Sequence, residues 1–409
     1  MGHLRVAQLG ALRLSSVTLM LAQNILLVRF VPLNQLGMYY VIGTIAYLGN
    51  AVFFVGADLN LQQRLANLSV DRTISGKGLF RYLLATAAPG AALVLLSAAL
   101  YFFLRDSSSW ASTSLLCVCL SVATYASSVG RNLCQLAMLQ TYASLGPIVD
   151  GSVRCLFIAA LVHVDSASAL TLAASSAIGS LCAASATIAL LLSRCSGGFD
   201  SYLGRVGPFI RKVSQVGSSG LANWAQLQGY RPVIASSPAG EQVVGTISFM
   251  TTLGSTAASA VFTVLALFQM PRQYSSRGAT TGAYVRLVGA TAIVLSLLSV
   301  PAGLLFLEIT HRGELFGLLY LIVVGVAIES GNVILGICAN HLNVRERSLA
   351  PLSKAGILGC VVTFGLLCLP SAGADEFFKL ALTLLSGQVF AVALVLYMTF
   401  RHADTTHAE

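Results

Sequence analysis

The 409 residues are 56% hydrophobic and only 10% charged, with a mean hydropathy of +0.81. Soluble domains carry about 25% charged residues, so this composition excludes a water-soluble enzyme or binding module. The formal charge of +9 does not point to nucleic acid, because most of it follows a topological pattern set out below.

Apolar stretches of about 20 residues recur along the chain, each long enough to cross a hydrocarbon core of about 30 Å as a helix. They predict twelve spans, at roughly 7–31, 37–57, 81–104, 111–138, 144–163, 168–193, 212–236, 242–268, 284–307, 314–338, 351–370 and 378–400. Short cytoplasmic loops keep Lys and Arg, whereas translocated loops carry few. With twelve spans, 17 of the 24 Lys and Arg fall on one side; Arg105, Arg312 and Lys379 fall on the other, and Arg29, Arg131, Arg154 and Arg231 lie within spans. An odd number of spans scrambles this pattern. The expected fold is therefore an all-α polytopic membrane protein of about twelve helices, with both termini cytoplasmic. The start, MGHLRVAQLGALRLSS, lacks a small-residue cleavage site, so the first span is expected to serve as its own insertion signal.

The outer loops are short. The inner loop 194–211 separates two lobes of six spans, 1–198 and 199–409. A faint repeat supports the division: VIGTI at 41–45 and VVGTI at 243–247 are 202 residues apart, as are Arg29 and Arg231. No loop has room for a catalytic domain, and no nucleotide-binding motif or metal-ligand spacing is present. No cofactor or metal is expected. The six His are read into loops and tails. The Cys lie mostly in spans without paired spacing, and no disulfide is expected.

Ionisable groups in hydrocarbon are costly and usually face a partner or a water-filled cavity. Span 1 holds Asn24 and Arg29, and Asp58 ends span 2 as a candidate helix cap. In span 4, Thr124, Ser128, Arg131 and Gln135 fall on one face, with Asn132 beside them. That stripe reads either as a cavity wall meeting an anion or as an Arg131 that snorkels to head groups. In span 5, Asp150 and Arg154 stand four residues apart. They read first as a self-neutralising pair, and otherwise as a substrate-binding Arg whose rotamer Asp150 sets. In span 7, Asn223, Gln226 and Tyr230 share one predicted face next to Arg231. Amides and rings there suit sugar hydroxyls and faces, or plain interhelical hydrogen bonding. Glu329, within VAIESGN of span 10, is with Asp150 a candidate for ion coupling, the alternative being a partner among the span arginines. Four deep Arg against two carboxylates favour an anion, and Arg pairs with phosphate in a bidentate fashion.

With these residues in view, the chain resembles the bacterial polysaccharide flippases of the O-antigen and exopolysaccharide type, within the multidrug/oligosaccharidyl-lipid/polysaccharide (MOP) exporter superfamily. The resemblance lies in VPLNQLGMYYVIGTIAYLGN (31–50), where Gly37, Met38 and Tyr39 match a Gly-x-Tyr pattern. It continues in LQTYASLGPIVDGSVRCLFIAALV (139–162), which carries Arg154, and in the stretch at 236–275 that contains Pro271. Arg231 departs from the acidic residue that many relatives carry there. The resemblance implies a non-ATP-driven transporter with a cationic cavity. Its substrate would be an undecaprenyl-pyrophosphate-linked oligosaccharide, moved from inner to outer leaflet of the bacterial inner membrane. It leaves room for a polysaccharide polymerase and a chain-length regulator as partners besides the bilayer, and none for nucleic acid. The candidate cavity residues, chosen for their place within the spans and not for the resemblance, are Arg131, Arg154, Arg231, Arg29, Gln135, Asn223, Gln226 and Tyr230. Rival readings are a multidrug/organic-cation antiporter of the same superfamily, a membrane glycan polymerase or ligase, and a non-transporting scaffold of a glycan assembly complex.

Overall fold

The computed structural model describes residues 2–58, 61, 76–105, 108–136, 139–194, 207–237, 239–345, 349–369 and 375–401. Most of the inner loops expected at 58–80 and 194–211, with Arg64, Arg72 and Arg205, lie outside the described residues, as does Arg347. Among the described residues every regular element is helical: α1 (Gly2–Phe30), α2 (Leu33–Gly49), α3 (Gly76–Leu104), α4 (Trp110–Leu136), α5 (Gln140–His163), α6 (Ala169–Arg194), α7 (Gly207–Leu227), α8 (Tyr230–Ala235), α9 (Gly240–Ser275), α10 (Thr281–Ile309), α11 (Tyr320–Val344), α12 (Ala350–Leu367) and α13 (Glu376–Arg401). A π-helical stretch, Asn50–Phe54, prolongs α2, and a 3₁₀ turn, Gly313–Leu318, precedes α11.

Eleven of these helices are long and apolar enough to cross a membrane. The seventh of the twelve expected spans differs. It is α7 followed by α8, and α7 carries Arg211, Lys212, Asn223 and Gln226 among its residues. Between them the amide of Gly229 divides its bond between the carbonyls of Trp224 and Ala225, at 3.0 and 3.1 Å. Pro232 has no N–H to carry a ladder back across the break. Asn223 and Gln226 therefore belong to α7 and Tyr230 to α8, so the expected single face is divided between two helices.

The chain forms two compact units: Met1–Gly217 with Arg231–Val244, and Ser218–Tyr230 with Gly245–Glu409. In the first, α4 and α5 pack along α6, α1 lies on α5, and α2 touches α3, α4 and α6. Without a hydrophobic drive between helices in lipid, close approach relies on small residues and shape. Gly90 on α3 shows it: a Cβ there would sit 2.2 Å from the ring of Phe54, which stacks on Tyr125 at 4.3 Å between centroids. In the second unit, α12 packs on α13, and α11 on α10 and α13. There Gly254 of α9 and Gly325 of α11 meet at the backbone. A Cβ on either would lie 2.0 Å from a carbonyl oxygen of the other helix, Ile322 or Thr251.

His341 corrects the sequence reading. It sits on α11, not in a loop, and is only 2% exposed. Its Nδ1 pairs with Thr281 Oγ1 at 2.9 Å, and Thr281 in turn accepts from Gln273. The eight described cysteines are free thiols.

Candidate functional site

The polar residues of the first unit are organised by charge. On α5, Arg154 Nε donates to Asp150 Oδ1 at 2.9 Å, as the four-residue spacing allows. Arg154 Nη2 donates to Ser180 Oγ on α6 at 3.0 Å, and Ser180 faces the same Asp150 oxygen at 3.5 Å. Gly179 makes room, since a Cβ there would press on Asp150 Oδ1 at 2.7 Å. Arg131 on α4 is near enough for its charge to act on Asp150 as well. The structure thus brings together Arg131, Asp150 and Arg154, one carboxylate for two guanidiniums.

The stripe of α4 is the less covered side of its helix. Thr124 and Ser128 are half-buried, Arg131 and Gln135 exposed, while Tyr125, Val129 and Leu133 on other faces are buried. Asn132 turns away from the stripe and donates to the buried carboxylate of Asp58. Arg231 reaches α2, where it donates to Thr44 Oγ1 at 3.2 Å and lies over the ring of Tyr40 at 5.6 Å. Arg29 is exposed at the end of α1, over its neighbour Phe30, a placement that suits snorkelling.

The second unit is organised by neutral groups. Glu329 on α11 lies beside Ser259 on α9 and Asn332 of its own helix. Asn332 Oδ1 accepts from Gln388 Nε2 of α13 at 3.2 Å, and Gln388 Oε1 accepts from Gln226 Nε2 of α7 at 3.1 Å. Gly331 and Gly359 leave the space that these amides fill. Among the described residues no cation pairs with Glu329. Gln226 and Tyr230 are each 1% exposed, and Asn223 is half-buried. Three helices thus share a chain of amide hydrogen bonds, and Gln226 and Gln388, its buried members, are 162 residues apart.

One feature that the sequence reading missed lies in the first unit. Arg105 at the end of α3 pairs with Glu241 at the start of α9. The pair borders a cavity of about 310 Å³. The residues are 136 apart, so only the shared side assigned to their loops could have hinted at it. Among the described residues, no group of three His, Cys, Asp or Glu gathers as a metal site.

No family model matches the chain, and no curated protein matches it in sequence. Solved structures do. The lipid II flippase MurJ, in an inward closed conformation, aligns with a TM-score of 0.64 at 12% identity, over 95% of this chain and 87% of that one. A multidrug resistance MATE family transporter of the MOP superfamily, in an outward-facing conformation, aligns at 0.61 and 9% identity, over 98% and 97%. The Vibrio cholerae MATE transporter VcmN, in the bent form, aligns at 0.56 and 12%, over 98% of each chain. At such identities the likeness is one of fold: this is a multi-span helical membrane protein with the fold of MOP-superfamily transporters.

Proposed function

We propose that the protein is a secondary transporter that flips undecaprenyl-pyrophosphate-linked oligosaccharide units from the inner to the outer leaflet of the bacterial inner membrane, for O-antigen, exopolysaccharide or capsule synthesis. The observation that carries this reading is the cationic bias of the polar positions on the apolar helices of the first unit. Arg131 stands exposed beside Gln135 on the polar stripe of α4, and its charge reaches Asp150, which pairs with Arg154. Two guanidiniums about one carboxylate leave a net positive site, which suits a diphosphate. The fold shared with a lipid II flippase supports a lipid-linked cargo. Both termini lie in the cytoplasm in this reading, and the two lobes divide near residue 198. A polymerase and a chain-length regulator receive the flipped unit.

The test is to delete the gene in its host, extract lipid-linked oligosaccharides and find their leaflet with a membrane-impermeant glycosidase. Complete units trapped inside support flipping. Complete units that reach the outer leaflet but stay unpolymerised favour a polymerase or ligase, and unchanged lipids overturn the reading. In a complemented strain, Arg131→Ala should lower export more than Arg131→Lys; equal export by both variants and wild type removes Arg131 from the site.

A second reading, an organic-cation antiporter, is favoured by Glu329, a carboxylate held by neutral groups in a fold shared with multidrug transporters. It requires that deletion slow the efflux of a lipophilic cation and leave the lipid-linked glycans unchanged.

A further inference from the structure

The cavity beside Arg105 and Glu241 is built from segments distant in sequence. The twelve-span reading puts all of them on the outer side: the first outer loop with Gln35, the end of α3 with Arg105, the loop before α4 with Ser109, the start of α6 with Ser168, and the start of α9 with Glu241. Its volume of about 310 Å³ lies at the small end of ligand-binding cavities, which run from about 300 to 1,000 Å³.

The lining has one charge of each sign and several neutral polar groups. Arg105 and Glu241 pair directly, so the cavity does not select for net charge. Arg105 Nη1 also lies 3.5 Å from the hydroxyl of Tyr101. Gln35 Oε1 accepts from the amide of Ala169 at 3.0 Å, while its NH₂ group has no acceptor among the described residues. Thr113 spends its hydroxyl hydrogen on the carbonyl of Ser109 at 3.0 Å and keeps lone pairs to accept with. Met38, Ile42, Phe102 and Leu170 supply apolar wall.

A ligand suited to such a lining must donate and accept from adjacent atoms and also show an apolar face. Vicinal ring hydroxyls do this, since each is one donor and two acceptors. One can give its proton to Glu241 while its neighbour accepts from Arg105, and the C–H face of the ring lies on the apolar wall. An inorganic anion would meet the carboxylate, and an organic cation the guanidinium. We propose that this cavity is a binding site for one or two sugar rings, which holds the glycan part of the substrate on the outer side. The assignment rests on the flippase reading for its biological meaning.

The test uses purified full-length protein in nanodiscs and saturation-transfer NMR with methyl glycosides of glucose, galactose and N-acetylglucosamine. Tetraphenylphosphonium and inorganic pyrophosphate serve as contrasting probes. Wild type should transfer saturation to at least one glycoside and to neither contrast ligand at the same site. Glu241→Gln removes a charged acceptor and should weaken that binding about tenfold. Ser109→Phe fills the cavity without touching the ion pair and should abolish it, with an unchanged thermal unfolding midpoint. If Ser109→Phe does not fold, Gln35→Leu serves, with an expected loss of about fivefold.

No transfer to any glycoside, or equal transfer in the filled variant, overturns the site. So does competition by either contrast ligand. The two failures can be told apart: glycosides that bind here while gene deletion leaves lipid-linked glycans unchanged overturn the flippase reading and leave the sugar site standing. Trapped lipid-linked units with no glycoside binding do the reverse.

Discussion

The two units are built from helices of similar length and composition, yet they hold their polar groups differently. The first sets charge against charge: Arg154 against Asp150, Arg105 against Glu241, and Arg231 over an aromatic ring. The second runs a chain of amides from Gln226 through Gln388 to Asn332, next to Glu329. The difference matters because an ion pair broken on one side leaves a desolvated charge, whereas a neutral network loses a hydrogen bond at a time. A faint repeat in sequence does not carry a repeat in chemistry.

The contrast in packing predicts the largest effect. Gly254→Val in the second unit drives a side chain into the carbonyl of Ile322, where no rotamer gives relief, and should cost about 3 kcal/mol or more. In practice folded protein should be lost on detergent gel filtration. Gly90→Ala in the first unit meets a ring that can shift, and should cost about 1–2 kcal/mol by thermal unfolding. Equal effects would mean that both units pack alike.

Next comes the ion pair. Asp150→Ala should destabilise by about 2 kcal/mol, less than a fully dry pair because both side chains keep some exposure. Adding Arg154→Met should recover at least half of the loss, as the unpaired charge goes with it. A double variant no better than the single would show that Asp150 acts through packing.

The smallest effects sharpen the neutral side. Gln388→Leu removes the partner of both Gln226 and Asn332 and should cost about 1–2 kcal/mol. Glu329→Gln keeps a hydrogen-bonding group of the same shape and should change stability by less than about 0.5 kcal/mol. A loss from Glu329→Gln as large as that from Asp150→Ala would erase the distinction between the units.

Much of the fold was legible in the chain because apolar runs of membrane length announce helices whatever packs around them. The Asp150–Arg154 pair was legible too, since four residues is one helical turn. The amide chain was not: Gln226 and Gln388 owe their meeting to the packing of α7, α11 and α13, and local periodicity carries no word of a partner 162 residues away. Tyr230 looked like a member of the face of Asn223 and Gln226 because a period of 3.6 assumes an unbroken helix, and Gly229 and Pro232 end that assumption. His341 falls just past the end of the expected span 314–338, which places it in a loop. Thr281 and Gln273, far off in sequence, are what allow it to be buried.

The break between α7 and α8 bears on how the chain is made. If residues 207–237 did not cross the bilayer, the seven basic loop residues of the second half would join Arg105 on one face, opposite the ten of the first half with Arg312 and Lys379. That would leave hardly any charge signal to orient the protein. Yet α7, with its Arg, Lys, Asn and Gln side chains, is too polar to leave an insertion channel for lipid unaided. On the twelve-span reading, α7 is therefore expected to enter together with α9, whose apolar length follows within a few residues. On that reading, one apolar helix, α9, fixes the side on which every later loop of the chain is expected.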